Sequence, residues 1–140
     1  MPKLIFVNLP VADLARSVAF YEAVGGTRNP QFSDDSAACM MFSDVIHVML
    51  ATHAKYKLFT TKPIADTKKL SAVLLCLSAD SKTEVDDLIA RAVKAGGAPD
   101  PSPVDDYDFM YGRSFEDPDG HMWGINWIDL SAMPAAPVHA

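Results

Sequence analysis

Residues Leu4–Leu9, LIFVNL, alternate in the manner of a strand: Ile5, Val7 and Leu9 fall on one face, and Leu4, Phe6 and Asn8 on the other. After Pro-Val-Ala-Asp the period lengthens. Leu14, Val18, Tyr21 and Val24 share one helical stripe, Asp13 stands where an N-cap is needed, and Gly25-Gly26 ends the helix. Two further strand-like runs follow, AACMMFS at Ala37–Ser43 and VIHVMLA at Val45–Ala51.

The order then repeats. SAVLLCLS at Ser71–Ser78 reads as a strand, and Ala79-Asp80 leads into a second helix opened by the capping box Ser81–Glu84. Val85, Leu88, Ile89 and Ala92 form its apolar stripe, and Gly96-Gly97 ends it. Strands over Phe109–Phe115 and His121–Trp127 complete the half. Asp13 and Asp80 are 67 residues apart, and Gly25 and Gly96 are 71 apart, so one pattern of elements occurs twice. The repeat predicts an α+β fold of two tandem βαβββ modules. The domain covers 1–130, with module one at 3–52, a linker at 53–70, module two at 71–130, and a flexible tail at 131–140. Pro99, Pro101 and Pro103 mark a rigid loop within module two.

Charge narrows the partners. A formal net charge of −6 and a pI near 5.0 repel phosphates, so no nucleic acid is expected. The longest apolar runs, LIFV and AVLLCL, fall far short of the roughly 18–20 residues of a membrane span. MPKLIFVNLPV lacks a signal-peptide pattern, which makes the cytoplasm the expected location. Cys39 and Cys76 lie in apolar strand-like runs and read as buried thiols, and no CxxC or HExxH suggests structural zinc.

The last hairpin raises a question of its own. In SFEDPDGHMWGINWID, Ser114–Asp129, the turn is followed by a strand with Trp123, Ile125 and Trp127 on one face and Met122, Gly124 and Asn126 on the other. A glycine in the middle of that face removes a side chain where one should help hold the sheet. This hairpin and the opening FVNLPVADLARSVAFYEAVGG resemble the two ends of the glyoxalase / bleomycin-resistance / extradiol-dioxygenase (vicinal oxygen chelate) superfamily, and the duplicated module between them fits it. The resemblance, over Leu4–Asp129, implies a curved, half-open mixed β-barrel with the helices outside. Metal-dependent members of that family carry one ligand on each of several strands, His or Gln alternating with Glu. Spacing from the shared motifs puts these positions at Phe6, at His47 or Met49, at Leu74 and at Gly124. Phe, Leu and Gly offer a divalent ion no side-chain donor, so no metal or other cofactor is expected, and Gly124 marks a vacated carboxylate position facing a cavity.

On the period-two reading the inward faces carry Phe6 and Asn8, His47 and Met49, Leu74 and Cys76, and Met122, Gly124 and Asn126. Such a lining suits an apolar small molecule. Asn8 and Asn126 either orient a ligand or bond to nearby backbone, and His47 is either a pocket group or a satisfied structural residue. Tyr111 and Arg113 belong to DDYDFMYGRSF, which has the look of a mobile flap. Arg113 can meet an anionic ligand group or pair with Asp105, Asp106 or Asp108. His121 reads as a surface residue of the hairpin. Three functions fit: a metal-free protein binding a small molecule, a lyase or dioxygenase of glyoxalase type with a non-standard site, or an interaction module with a relic cavity. The family resemblance also implies a homodimer.

Overall fold

Strand β1 (Ile5–Val11) lies parallel to β4 (Ile46–Thr52), which puts Phe6 beside His47 and Asn8 beside Met49. Between them in sequence come helix α1 (Leu14–Ala23), β2 (Thr27–Asn29) and β3 (Ala37–Met41), and the sheet order is β1-β4-β3-β2. The second module repeats this arrangement. Strand β5 (Leu74–Ser78) is followed by α3 (Lys82–Lys94), β6 (Ala98–Pro99), β7 (Asp105–Tyr107), β8 (Met110–Glu116) and β9 (Met122–Ile128), in the sheet order β5-β9-β8-β6. The fold is α+β, with two βαβββ-like mixed sheets. This computed structural model describes residues 2–133; His139 and most of the expected tail lie outside them.

Three strands and one helix were invisible to periodicity. β2, β6 and β7 span two or three residues, too few for alternation to register, and the expected linker contains the single-turn helix α2 (His53–Tyr56). Segment 105–115, expected to be a flap, contains a strand pair of its own: β7 folds back on β8, pairing Asp105 with Gly112 and Tyr107 with Met110.

The helix boundaries follow the cap chemistry. Asp13 accepts from the Arg16 N–H at 3.1 Å, and Gly25 and Gly96 take φ of +105°, the left-handed exit that glycine alone adopts without strain. At α3 the Ser81 hydroxyl accepts from Glu84 N, and the Glu84 carboxylate reaches back to Asp80 N at 2.8 Å. The buried arc of α1 is wider than the predicted stripe. Ser17, Phe20, Tyr21 and Val24 are buried, while Leu14 and Val18 are only partly so. The cause is a double packing: α1 lies on β3 and β4, while Phe20 meets Phe115 and Tyr21 meets Trp123 on the second sheet.

One core therefore serves both modules. Leu9, Val48 and Leu50 of the first sheet join Phe115, Trp123 and Ile125 of the second around α1 and α3. Full burial of each such side chain contributes about 1.5–3 kcal/mol. Val7, Leu75, Leu77 and Trp127 pack against that core as their alternation predicts, but Ile5 and Val73, on the same parity, are exposed.

The Asp-Pro-Asp-Gly turn is the joint between the modules. Asp117 accepts from the Tyr21 hydroxyl at 2.5 Å and from the backbone N–H of Asp119 and of His121, and Trp123 donates to Tyr21 at 2.9 Å. Asp119 accepts from Ala12 N and Ser17 Oγ. His121 is not a surface residue: it is 4% exposed, and its Nε2 donates to the Pro10 carbonyl at 2.8 Å. A turn that looks solvent-facing in sequence is covered by α1, by β1 and by Thr67, which donates to the Asp119 carbonyl.

Candidate functional site

The predicted site residues separate into two groups. Phe6, Asn8, His47 and Met49 share the first sheet; Leu74, Cys76, Met122, Gly124 and Asn126 share the second. A cavity of about 200 Å³ lies over the second group, and every residue lining it belongs to the second module. The alternating faces were correctly grouped within each sheet, but a single chain does not bring Phe6, Asn8, His47 or Met49 into that cavity. Both groups leave apolar surface in water, with Phe6 45% and Leu74 66% exposed.

On the first sheet the polar groups are engaged. The His47 ring stacks on Phe6, with centroids 4.6 Å apart and planes 16° from parallel. Its Nε2 lies 3.1 Å from the Asp44 carbonyl, which can only accept, so Nε2 carries the proton. Nδ1 then receives the Cys39 thiol at 3.7 Å. The residue is 6% exposed, and burial pushes the Cys39 thiol pKa up, so Cys39 stays protonated as that donor. Within one chain, therefore, both ring nitrogens of His47 have a partner. Asn8 makes one long bond, 3.4 Å, to the Phe6 carbonyl.

The second sheet is built differently. Cys76 stands beside Gly124 in register and, contrary to the expected buried thiol, is exposed. A Cβ on Gly124 would come within 2.9 Å of its sulfur. Asn126 stands opposite Gly112, where a Cβ would run into the Asn126 carboxamide oxygen. Each larger side chain therefore leans across a glycine of the neighbouring strand. That answers the question posed by Gly124: in this chain the gap is taken up by Cys76, and the sheet surface stays low beneath the cavity.

Tyr111 and Arg113 have the opposite parity to Gly112 and Ser114 on β8, and they turn toward α3. Arg113 grips Asp100 through Nε and Nη2, at 3.1 and 2.7 Å, and places Nη1 3.0 Å from Asp86; Tyr111 donates to the same Asp86 oxygen at 2.6 Å. The expected partners Asp105, Asp106 and Asp108 are not used. Tyr111 and Arg113 hold the Asp86 carboxyl below the usual range, and Arg113 does the same to Asp100. Arg113 borders the cavity, yet its charge is already neutralised. Met110, Gly112 and Ser114 line the cavity and escaped the sequence reading. Their signal was present, since they continue the Met122/Gly124/Asn126 parity across the hairpin.

A larger cleft of about 500 Å³ lies where the linker passes β1, walled by Lys57, Asp66, Lys68 and Asp119. It contains none of the predicted site residues.

The residues do not fit the divalent metal that the family implies. Phe6, Leu74 and Gly124 present no donor, both His47 nitrogens are engaged, and among the described residues no three His, Cys, Asp or Glu side chains gather.

Solved structures share the fold. A hypothetical protein from S. aureus is 24% identical, with 91% of this chain and 94% of that one covered at a TM-score of 0.75. A glyoxalase/bleomycin resistance protein/dioxygenase family enzyme from Burkholderia phytofirmans PsJN is 22% identical, with 91% and 99% covered at 0.74. A bleomycin resistance determinant encoded on the transposon Tn5 is 19% identical, with 92% and 100% covered at 0.61. No curated protein matches the chain. The sequence pattern of one family matches residues 3–125, nearly the whole of both modules, and by that match the chain belongs to the Glyoxalase/Bleomycin resistance protein/Dioxygenase superfamily.

Proposed function

We propose that this protein binds a small molecule without a metal, in a cavity whose floor is the second sheet and whose roof is the first sheet of a second copy. The observation that carries this reading is the open cavity over Gly112 and Gly124. A relic would be expected to fill such a space with its own side chains. Small-molecule recognition is also the use that the family name and a bleomycin resistance determinant of the same fold suggest.

The dimer is supported by what each sheet leaves uncovered. Among the described residues β1 pairs only with β4, and β5 only with β9, so each sheet ends there on an open edge. Leu4, Ile5 and Phe6 lie exposed along one edge, and Leu70, Val73 and Leu74 along or beside the other. Unpaired edges bearing apolar side chains invite strand pairing or coverage. Two copies related by a twofold axis cover both edges at once.

The test is metal analysis of the purified protein, as isolated and after incubation with Ni, Zn, Mn and Fe(II), beside a His47→Ala variant. The expected result is well below one ion per chain in both proteins. One ion per chain, lost in His47→Ala, overturns the metal-free reading and restores the lyase or dioxygenase alternative.

A further inference from the structure

Resting on the reading of the second sheet as a ligand floor, the geometry points to an uncharged ligand with an amide-like edge, a donor beside an acceptor, met by the Asn126 carboxamide. Asn126 lies across Gly112, its oxygen over that glycine and its nitrogen 3.7 Å from where a Gly124 Cβ would stand. It is half-buried, and none of the hydrogen bonds among the described residues uses its carboxamide. Asn8, the asparagine on the first strand of the first sheet, is tied to its own strand. Asn126 is thus the carboxamide left to face the cavity, and it offers one donor nitrogen and one acceptor oxygen side by side.

Charge excludes the obvious competitor. An anion would need a free cation, and the cation bordering the cavity, Arg113, is clamped between Asp100 and Asp86. Asp105 at the rim adds negative charge. The ligand body is planar or thin, because the two glycines keep the floor low. Met110, Met122 and Leu74 beside it offer apolar contact. A lactam, an imide or an aryl carboxamide has this chemistry.

The experiment compares three ring-matched probes, benzamide, benzoate and benzamidinium, by titration into ¹⁵N-labelled full-length protein. Benzamide should shift the Asn126 side-chain NH₂ pair and the Gly112 and Gly124 amides, and bind at least about tenfold more tightly than either charged probe. Asn126→Asp loses the donor, so benzamide should weaken about tenfold while benzamidinium gains. Gly112→Ala, which lifts the carboxamide off the floor, should also weaken benzamide. If benzoate or benzamidinium shifts the same residues as strongly as benzamide, the cavity reading stands and the amide inference falls. If Asn126→Asp leaves the order of the probes unchanged, it falls too. If no probe shifts the second-sheet residues, the cavity reading and this inference fall together.

Discussion

The two sheets have the same strand order and the same parallel pair at one edge, yet their equivalent faces are built on opposite principles. On the first sheet the central polar side chain, His47, is stacked, hydrogen-bonded at both nitrogens and buried. On the second, Asn126 and Cys76 are spread over glycines beneath an open cavity. The first face behaves as a preformed wall and the second as a floor with unused hydrogen-bonding capacity. A duplicated module can keep its backbone while one copy engages its polar groups and the other leaves the Asn126 carboxamide outside the hydrogen bonds of the described residues. The difference lies in a few residues: Phe6 and His47 in one copy, Gly112 and Gly124 in the other.

The largest effect tests what lets the two faces differ at all, namely the rigid joint between the modules. Asp117→Ala leaves the Tyr21 hydroxyl and the N–H groups of Asp119 and His121 without an acceptor, and should cost about 3–5 kcal/mol in urea unfolding. Tyr21→Phe removes one donor from the same carboxylate and leaves Trp123 Nε1 without its acceptor, and should cost about 1–3 kcal/mol. If Tyr21→Phe, which keeps the ring, costs as much as Asp117→Ala, the Tyr21 hydroxyl and not the carboxylate is the hub of the joint. The pH dependence has a definite sign. Burial raises the folded-state pKa of Asp117 above its ordinary value, so its contribution favours folding at low pH and is lost as pH rises from the ordinary carboxyl range through the raised value. Asp100 and Asp86 have the opposite sign. Their pKa values are lowered, so their contribution is present above the ordinary carboxyl range and disappears as pH falls through the depressed values. Asp117→Asn should remove the alkaline-side loss and leave the acid-side loss in place.

Next comes the pairing of wall and floor across copies. Leu74→Lys changes a residue that is 66% exposed within one chain, so monomer stability should stay within about 0.5 kcal/mol. Phe6→Lys also gives up the stack on His47 and should cost the monomer about 0.5–1.5 kcal/mol. Each change occurs twice in a symmetric dimer and should weaken it by about 2–4 kcal/mol, seen as a concentration-dependent shift to monomer in light scattering. A wild-type protein that is monomeric at every concentration would break the comparison, because the wall would then face water.

The repeat was legible because both copies keep the same punctuation: an Asp at each helix start, a Gly-Gly at each exit, and strands with one clean apolar face. What sequence could not show is how the copies sit together. Alternation ranks faces within a strand, but says nothing of which second sheet a face looks toward, so it could not show that the two groups of inward residues stand on separate sheets of one chain. His121 and Arg113 were misread for a related reason. Their partners, the Pro10 carbonyl and the carboxylates of Asp86 and Asp100, are remote in sequence and are brought close only by packing. Cys76 was misread because its burial was inferred from apolar neighbours, although it shares its face with Gly124 and the cavity.

His47→Ala is a smaller test, of the wall alone. It removes a stack on Phe6 and two hydrogen bonds, and should cost about 1–2 kcal/mol. A benzamide titration should be affected only as far as the dimer is. A loss of binding in dimeric His47→Ala protein would make the histidine a ligand contact and erase the division of labour between the two faces.

Gly124→Ala should have the smallest effect on stability and is the sharpest test of the floor. Two terms oppose each other. Alanine in a strand interior is favoured over glycine by about 0.5–1 kcal/mol, through the smaller entropy it loses on folding. Against this, the new methyl meets the Cys76 sulfur, which must rotate aside. Because the obstacle is the end of a side chain and not backbone, the crowding costs about 1 kcal/mol and the net change is near zero. The cavity should respond far more than the stability, since the methyl and the displaced thiol both rise into it. A stable Gly124→Ala protein with weakened benzamide binding would show that the glycine serves the floor. A loss of more than about 2 kcal/mol would show that it serves the sheet.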